Sequence, residues 1–173
     1  MKFSEGQVIV HPHHGPATVT AITTRVIRDE PRQYLRLEVV GSDLVVGVPV
    51  AGAEEVGVRP VLGPHALCDV LVLAVLAAPL SQEDAGWSRR IKANVERLRT
   101  GDVTTVAGLV RDLMRRQEDT GLSLGEKDFL RDAKAPLVTE VAVVLGVDEP
   151  AAEATIDAAV LDGVVPTELA AAG

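Results

Sequence analysis

At 173 residues the chain has room for one ordinary domain or two small ones, and its formal net charge is -8. Apolar residues make up 47% but aromatics only 2%, so any core must be built from Val, Leu, Ile and Ala. A single cysteine, Cys68, excludes an internal disulfide framework, and the longest apolar run, residues 70–80, falls short of the ~20 residues a bilayer span needs. Glu5 and Gly6 interrupt the N-terminus before an apolar signal segment can form, so the chain is expected to be soluble and cytoplasmic.

The first third reads as β-structure. The runs "GQVIVHP", "GPATVTAITTRVI", "RQYLRLEVVG" and "DLVVGVPVAG" are β-branched and separated by Gly, Pro and Asp. Leu35, Leu37 and Val39 alternate with Arg36 and Glu38, which puts them on one face. Four or five short strands in about 60 residues suggest a small antiparallel barrel or a strongly bent sheet. After Pro60 the texture becomes helical. One helix is predicted from Gly63 to a stop at Pro79, and a second from Trp87 to about Arg99, ended by Thr100-Gly101. Asp102 is placed to cap a third, closed by Gly121. Ser123 and Glu126 have capping-box spacing for a fourth, which Pro136 is expected to kink. Asp148 and Pro150 open a last helix over residues 151–161. The predicted class is α+β, with an N-terminal β domain over 1–62 and a helical domain over 63–173.

The acidic total conceals a basic segment. Residues 87–116 carry eight cations against three acids, while residues 117–173 carry three against twelve. Within a Debye length of ~10 Å the local field outweighs the net charge. In the second helix Ile91, Val95 and Leu98 recur as an apolar stripe, with Arg90, Asn94 and Arg97 as a neighbouring row. Arg89, Arg90 and Lys92 are expected to point outward together. Trp87, the only tryptophan, opens that helix after Gly86. Two readings stand side by side: an indole packed between domains beside solvated arginines, or an apolar wedge for nucleic acid flanked by phosphate contacts.

Other constellations are weaker. His11, His13 and His14 invite a metal hypothesis, but in a strand or turn His11 and His13 project together while His14 points the other way, and a fourth ligand would have to come from His65 or a distant acid. A turn with stacked imidazoles is the simpler reading. Arg25, Arg28, Arg32 and Arg36 decorate the second and third strands, and the segment "TTRVI" is either an ordinary strand or an edge able to pair with another protein's sheet. No phosphate loop, G-x-S-x-G or Cys–His pair is present, so no enzyme is expected.

The order of these pieces resembles the CarD family of bacterial transcription regulators, also called CdnL. The resemblance rests on Phe3, Gly6, Val10, Pro12, His14 and Gly15, on Thr24-Arg25-Val26-Ile27, and on "GAEEVGVR" from Gly52 to Arg59. It is closest in "WSRRIKANVERLRTGDVTTVAGLVRDLMRRQ" and "GLSLGEKDFL". It implies a Tudor-like N-terminal domain that binds the β subunit of RNA polymerase, as the related module of transcription-repair coupling factor does. It also implies a helical domain that touches promoter DNA at the upstream edge of the bubble and holds the open complex. Carried over, Trp87 enters the minor groove, Arg89, Arg90, Lys92 and Lys127 contact the DNA, and Arg25, Val26 and Ile27 form the polymerase-binding strand. The resemblance implies a nucleoid-associated monomer without cofactor or metal. DNA contact should be largely sequence-independent, since only Asn94 could read base edges. Family members commonly carry a basic residue where Gly47 stands, and an aromatic where His11 stands. The Gly47 departure raises the alternative of a divergent paralogue, a protein–protein adaptor with weakened polymerase binding.

Overall fold

The computed structural model describes residues 2–76, 87–99 and 101–164, without the side chains of residues 73–76, 87, 88 and 99. The predicted helix stops at Pro79 and Thr100, and the side chain of Trp87, lie outside the described residues. The chain divides into two compact units, Met1–Val61 and Leu62–Gly173.

In the first unit five strands, β1 (Val8–His11), β2 (Gly15–Ile27), β3 (Glu30–Val39), β4 (Val45–Pro49) and β5 (Arg59–Pro60), form one antiparallel sheet in the order β4-β3-β2-β1-β5. The alternation in β3 does what its pattern predicts: Leu35 and Leu37 are buried while Arg36 and Glu38 are exposed. Their inward face joins Ile9, Ala17, Val19, Val48, Ala53 and Val58, with Val39 packed at the margin. β2 and β3 are joined by a two-residue turn at Arg28 and Asp29, both at positive φ (53° and 64°). That left-handed pair is the turn geometry that matches strand twist.

The histidines close the β1–β2 turn, as the simpler reading expected, but the structure corrects the orientation expected of His14. His14 does not face away: its ring lies 4.7 Å from that of His11, nearer than His13 at 5.9 Å. The chain has left the strand by then, with His14 N–H donating to the His11 carbonyl at 3.3 Å. Among the described residues no group of three His, Cys, Asp or Glu could hold a metal ion. His11 is 6% exposed, and its pKa is lowered to about 4, first by burial and then by the neighbouring His14 and His13. The folded form therefore binds fewer protons than the unfolded chain between pH 6.5 and 4. Stability from this site is full above 6.5 and is lost as pH falls through that window. The loss is on the order of 3 kcal/mol. His11→Phe is expected to melt with a shallower pH dependence between 6.5 and 4, and parallel melting curves for variant and wild type would refute this.

The second unit holds five helices among the described residues: α1 (Pro64–Leu76), α2 (Trp87–Arg99), α3 (Val103–Asp119), α4 (Leu124–Leu145) and α5 (Glu149–Asp157). The predicted caps are in place. Asp102 accepts from Thr105 N–H at 2.7 Å, Asp148 from Ala151 N–H at 2.9 Å, and Ser123 with Glu126 forms a complete capping box. Each such cap stabilises its helix by about 1 kcal/mol. α4 runs through Pro136 as one element. The last helix begins two residues earlier than predicted and widens into a π-type turn over Ala158–Asp162. The core is aliphatic, with Leu67 and Leu71 of α1, Leu109 and Val110 of α3, Leu137 and Val141 of α4, and Ile156 of α5. One cation counted in the basic segment is inside it. Arg111 is fully buried and donates twice to Asp112 Oδ1, at 2.6 and 2.9 Å. No helix among the described residues is long and apolar enough to cross a membrane. The class is α+β, as predicted.

Candidate strand-edge and nucleic-acid interfaces

β2 is an interior strand over its first four residues and an edge toward the hairpin tip. Its first part pairs with β1, from His11–Gly15 to Val8–Thr18, while its partner on the other side, β3, follows it to the hairpin tip. A bulge between Val19 and Ala21 then changes which residues turn their amides away from β3. Ile22 is one of them, since its N–H reaches Glu5 Oε1 at 3.3 Å. By the two-residue period Thr24 and Val26 also present N–H and C=O to that side. The hairpin gives the same parity: Ile27 pairs with Glu30 across the turn, so Val26 faces outward. Among the described residues of this unit no strand pairs with that edge. The Val26 side chain is 71% exposed and Ile27 is 37% exposed. Sequence reading placed Arg25, Val26 and Ile27 together on one strand, and the structure puts them at the free end of the hairpin.

On the outer face of the same sheet, the register sets Thr23 beside Tyr34, and Arg36 between Ala21 and Gly47. Arg25 lies over the Tyr34 ring at 5.6 Å, a cation–π geometry. Arg36 stands 4.0 Å from Glu38, and both are more than half exposed. Thr23, Arg25, Tyr34, Arg36 and Gly47 line a shallow hollow of about 300 Å³. A Cβ built on Gly47 would meet nothing within 4 Å, so the missing side chain leaves open space rather than a packed contact.

In the helical unit the rotation of α2 differs from the periodicity reading. The expected stripe of Ile91, Val95 and Leu98 is only half inside: Ile91 and Leu98 are partly buried, and Val95 is exposed. The most buried position is Asn94, at 5% exposure, flanked by the partly buried Arg90 and Arg97. The inward row has a partner outside the helix, the Glu126 carboxylate of α4, and a contact within α2. Asn94 Oδ1 accepts from Arg97 at 3.2 Å, and Arg90 donates to Glu126 Oε1 of α4 at 3.4 Å. This corrects the expectation that Arg89, Arg90 and Lys92 point outward together. Arg89 and Lys92 are exposed, whereas the Arg90 side chain is 16% exposed. Lys127, exposed in the first turn of α4, follows Glu126 directly, so the ion pair brings it to the region of α2. Trp87 supplies the first residue of α2, and its side chain is not described.

Two residues of this arrangement escaped the sequence reading. Glu126 was legible only as a cap, yet its carboxylate also meets Arg116 of α3 at 3.9 Å. Asn94 was legible only as a member of a polar row. A carboxylate that completes a cap with one oxygen has a second to offer, and the i, i+4, i+7 recurrence of Arg90, Asn94 and Arg97 marks a surface that could turn toward it.

Comparison with known proteins adds the following. Residues 3–62 match the CarD-like/TRCF RID domain, and residues 71–157 match the CarD C-terminal domain. The protein named "Putative transcription factor YdeB" from Bacillus subtilis (strain 168) is 30% identical over 147 residues, covering 85% of this chain and 95% of that protein.

Proposed function

Because the chain belongs to the CarD family, we propose that it is a transcription regulator that binds the RNA polymerase β subunit and stabilises the open promoter complex. On this reading residues 1–62 are the polymerase-interacting domain, Tudor-like in kind, and residues 63–173 the DNA-contacting one. The observation that carries the first half is the open edge of β2, where Thr24 and Val26 offer unpaired backbone groups beside an exposed apolar side chain. Such an edge is suited to strand addition, in which the backbone supplies affinity and side chains supply selectivity. For the second half, Arg89, Lys92 and Lys127 are exposed cations suited to phosphates, and Trp87 is the wedge at the upstream edge of the bubble. Unstacking a step costs a few kcal/mol and costs least where the duplex is already distorted. The protein then binds the open state more tightly than the closed one and shifts the equilibrium toward it. Tethering to polymerase supplies the effective concentration that a few phosphate contacts lack. The chain acts as a monomer, without catalysis, in the cytoplasm at the nucleoid. The test adds the full chain to purified polymerase on a promoter, and unchanged open-complex lifetime and transcript yield would sink the proposal.

Gly47 favours one second reading, an adaptor with weakened polymerase binding. Its vacant place adjoins Arg25 and Arg36, so restoring a cation there is sterically free. Gly47→Arg is expected to strengthen capture of polymerase by the full chain about 1.4- to fivefold, the scale of an exposed ion pair worth about 0.2–1 kcal/mol. The gain is limited by the like charge of Arg36 directly across the strands. Equal capture by wild type and variant would remove the ground for the adaptor reading.

A further inference from the structure

One buried carboxylate on α4 meets cations from two other helices. Glu126 is 4% exposed, and its two oxygens divide their contacts. Oε2 accepts from the Ser123 backbone N–H at 3.0 Å and from Ser123 Oγ at 2.7 Å. Oε1 faces the Arg90 guanidinium at 3.4 Å and Arg116 Nε at 3.9 Å. Burial works to raise the carboxyl pKa, but the Ser123 hydrogen bonds, Arg90 and the charge of Arg116 outweigh it and hold it below its ordinary value. The group is therefore charged at neutral pH.

Among the described side chains of α2, no apolar one is fully buried. Its inward row is Asn94 with Arg90 and Arg97, and its apolar residues Ile91 and Leu98 are only partly buried. Apolar contact is non-directional, whereas a charge-assisted hydrogen bond fixes distance and angle. We infer that Glu126 is the positioning residue of the DNA-contacting helix: by holding Arg90 it sets the rotation of α2, and so the side on which Arg89 and Lys92 are presented. This rests on the DNA-contact reading above. Arg116 braces the same carboxylate from α3, so one side chain couples three helices. Arg90 is then an internal anchor and not a phosphate contact.

The experiment uses the full chain and its single tryptophan, which opens α2. Glu126→Gln leaves an acceptor at the N3 position, compatible with the capping box, and removes the charge. Arg90→Gln leaves the box untouched and removes the partner. Each is expected to lower the fluorescence anisotropy of Trp87 in the absence of DNA and to shorten open-complex lifetime several-fold. The double variant should be no worse than either single one, and Arg90→Lys should recover part of the loss. Unchanged anisotropy in both single variants, with native circular dichroism, would overturn the inference. So would additive losses in the double variant. If Arg90→Gln lowers the salt slope of DNA binding by about 1 while Glu126→Gln does not, Arg90 is a phosphate contact and the inference also falls. Anisotropy losses in variants of a protein whose wild type leaves open complexes unchanged would uphold the positioning of α2 and remove the DNA reading alone.

Discussion

Val26→Pro is expected to weaken binding of the full chain to RNA polymerase tenfold or more while leaving its fold intact. Val26 sits where β2 turns its amide away from β3, so the N–H lost to proline closes no hydrogen bond within the sheet. Proline is tolerated at such edge positions, and Pro31, its cross-strand neighbour, already occupies one. A partner strand, however, would lose its donor at Val26 and leave a carbonyl unpaired, at about 1–3 kcal/mol. The ring adds a steric block to close approach. Val26→Ala separates the two contributions: it keeps the N–H and removes only the exposed apolar surface, so its effect should be smaller. Circular dichroism and the melting midpoint report on the fold, and a binding titration with polymerase reports on the edge. Native binding by a folded Val26→Pro chain would mean that the partner does not use this edge.

Trp87→Ala should shorten the lifetime of the open complex by about 5–150-fold, corresponding to roughly 1–3 kcal/mol of stacking per base. Binding to polymerase should not change, because the strand edge belongs to the other unit. Trp87→Phe should retain part of the effect, since a smaller ring still offers an apolar face. The ionic contribution separates from the wedge by salt. With Arg89, Lys92 and Lys127 as the phosphate contacts, the log–log slope is expected near -3, at about 0.9 per phosphate. Trp87→Ala should lower affinity at every salt concentration without altering that slope. Equal lifetimes for wild type and Trp87→Ala would assign the indole to packing within the protein.

The strands and helix caps were legible because their causes are local. β3 alternates over five residues, the β2–β3 turn needs only two positions able to adopt positive φ, and Asp102, Ser123 and Asp148 cap through residues three places away. The rotation of α2 was not legible, because periodicity counts apolar residues and cannot weigh a polar residue with a buried partner. Arg90 reaches a carboxylate thirty-six positions downstream. Arg111 likewise counted toward a basic surface until packing placed it in the core beside Asp112. The orientation of His14 was misjudged for a smaller reason: alternation was extended past the residue where β1 ends, although the turn itself was expected.

The sequence by itself determined the order of strands and helices along the chain, the class, and the segregation of cations into residues 87–116, since composition, turn chemistry and capping act over a few residues; the family entered through the resemblance of its motifs. Only the tertiary structure decided which of those cations face water. It also decided that β2 ends in an open edge at Thr24 and Val26, and that Glu126 joins α2, α3 and α4. These outcomes depend on partners far apart in sequence, where the cost of burying a charge is set by whether another element brings a counter-charge to meet it.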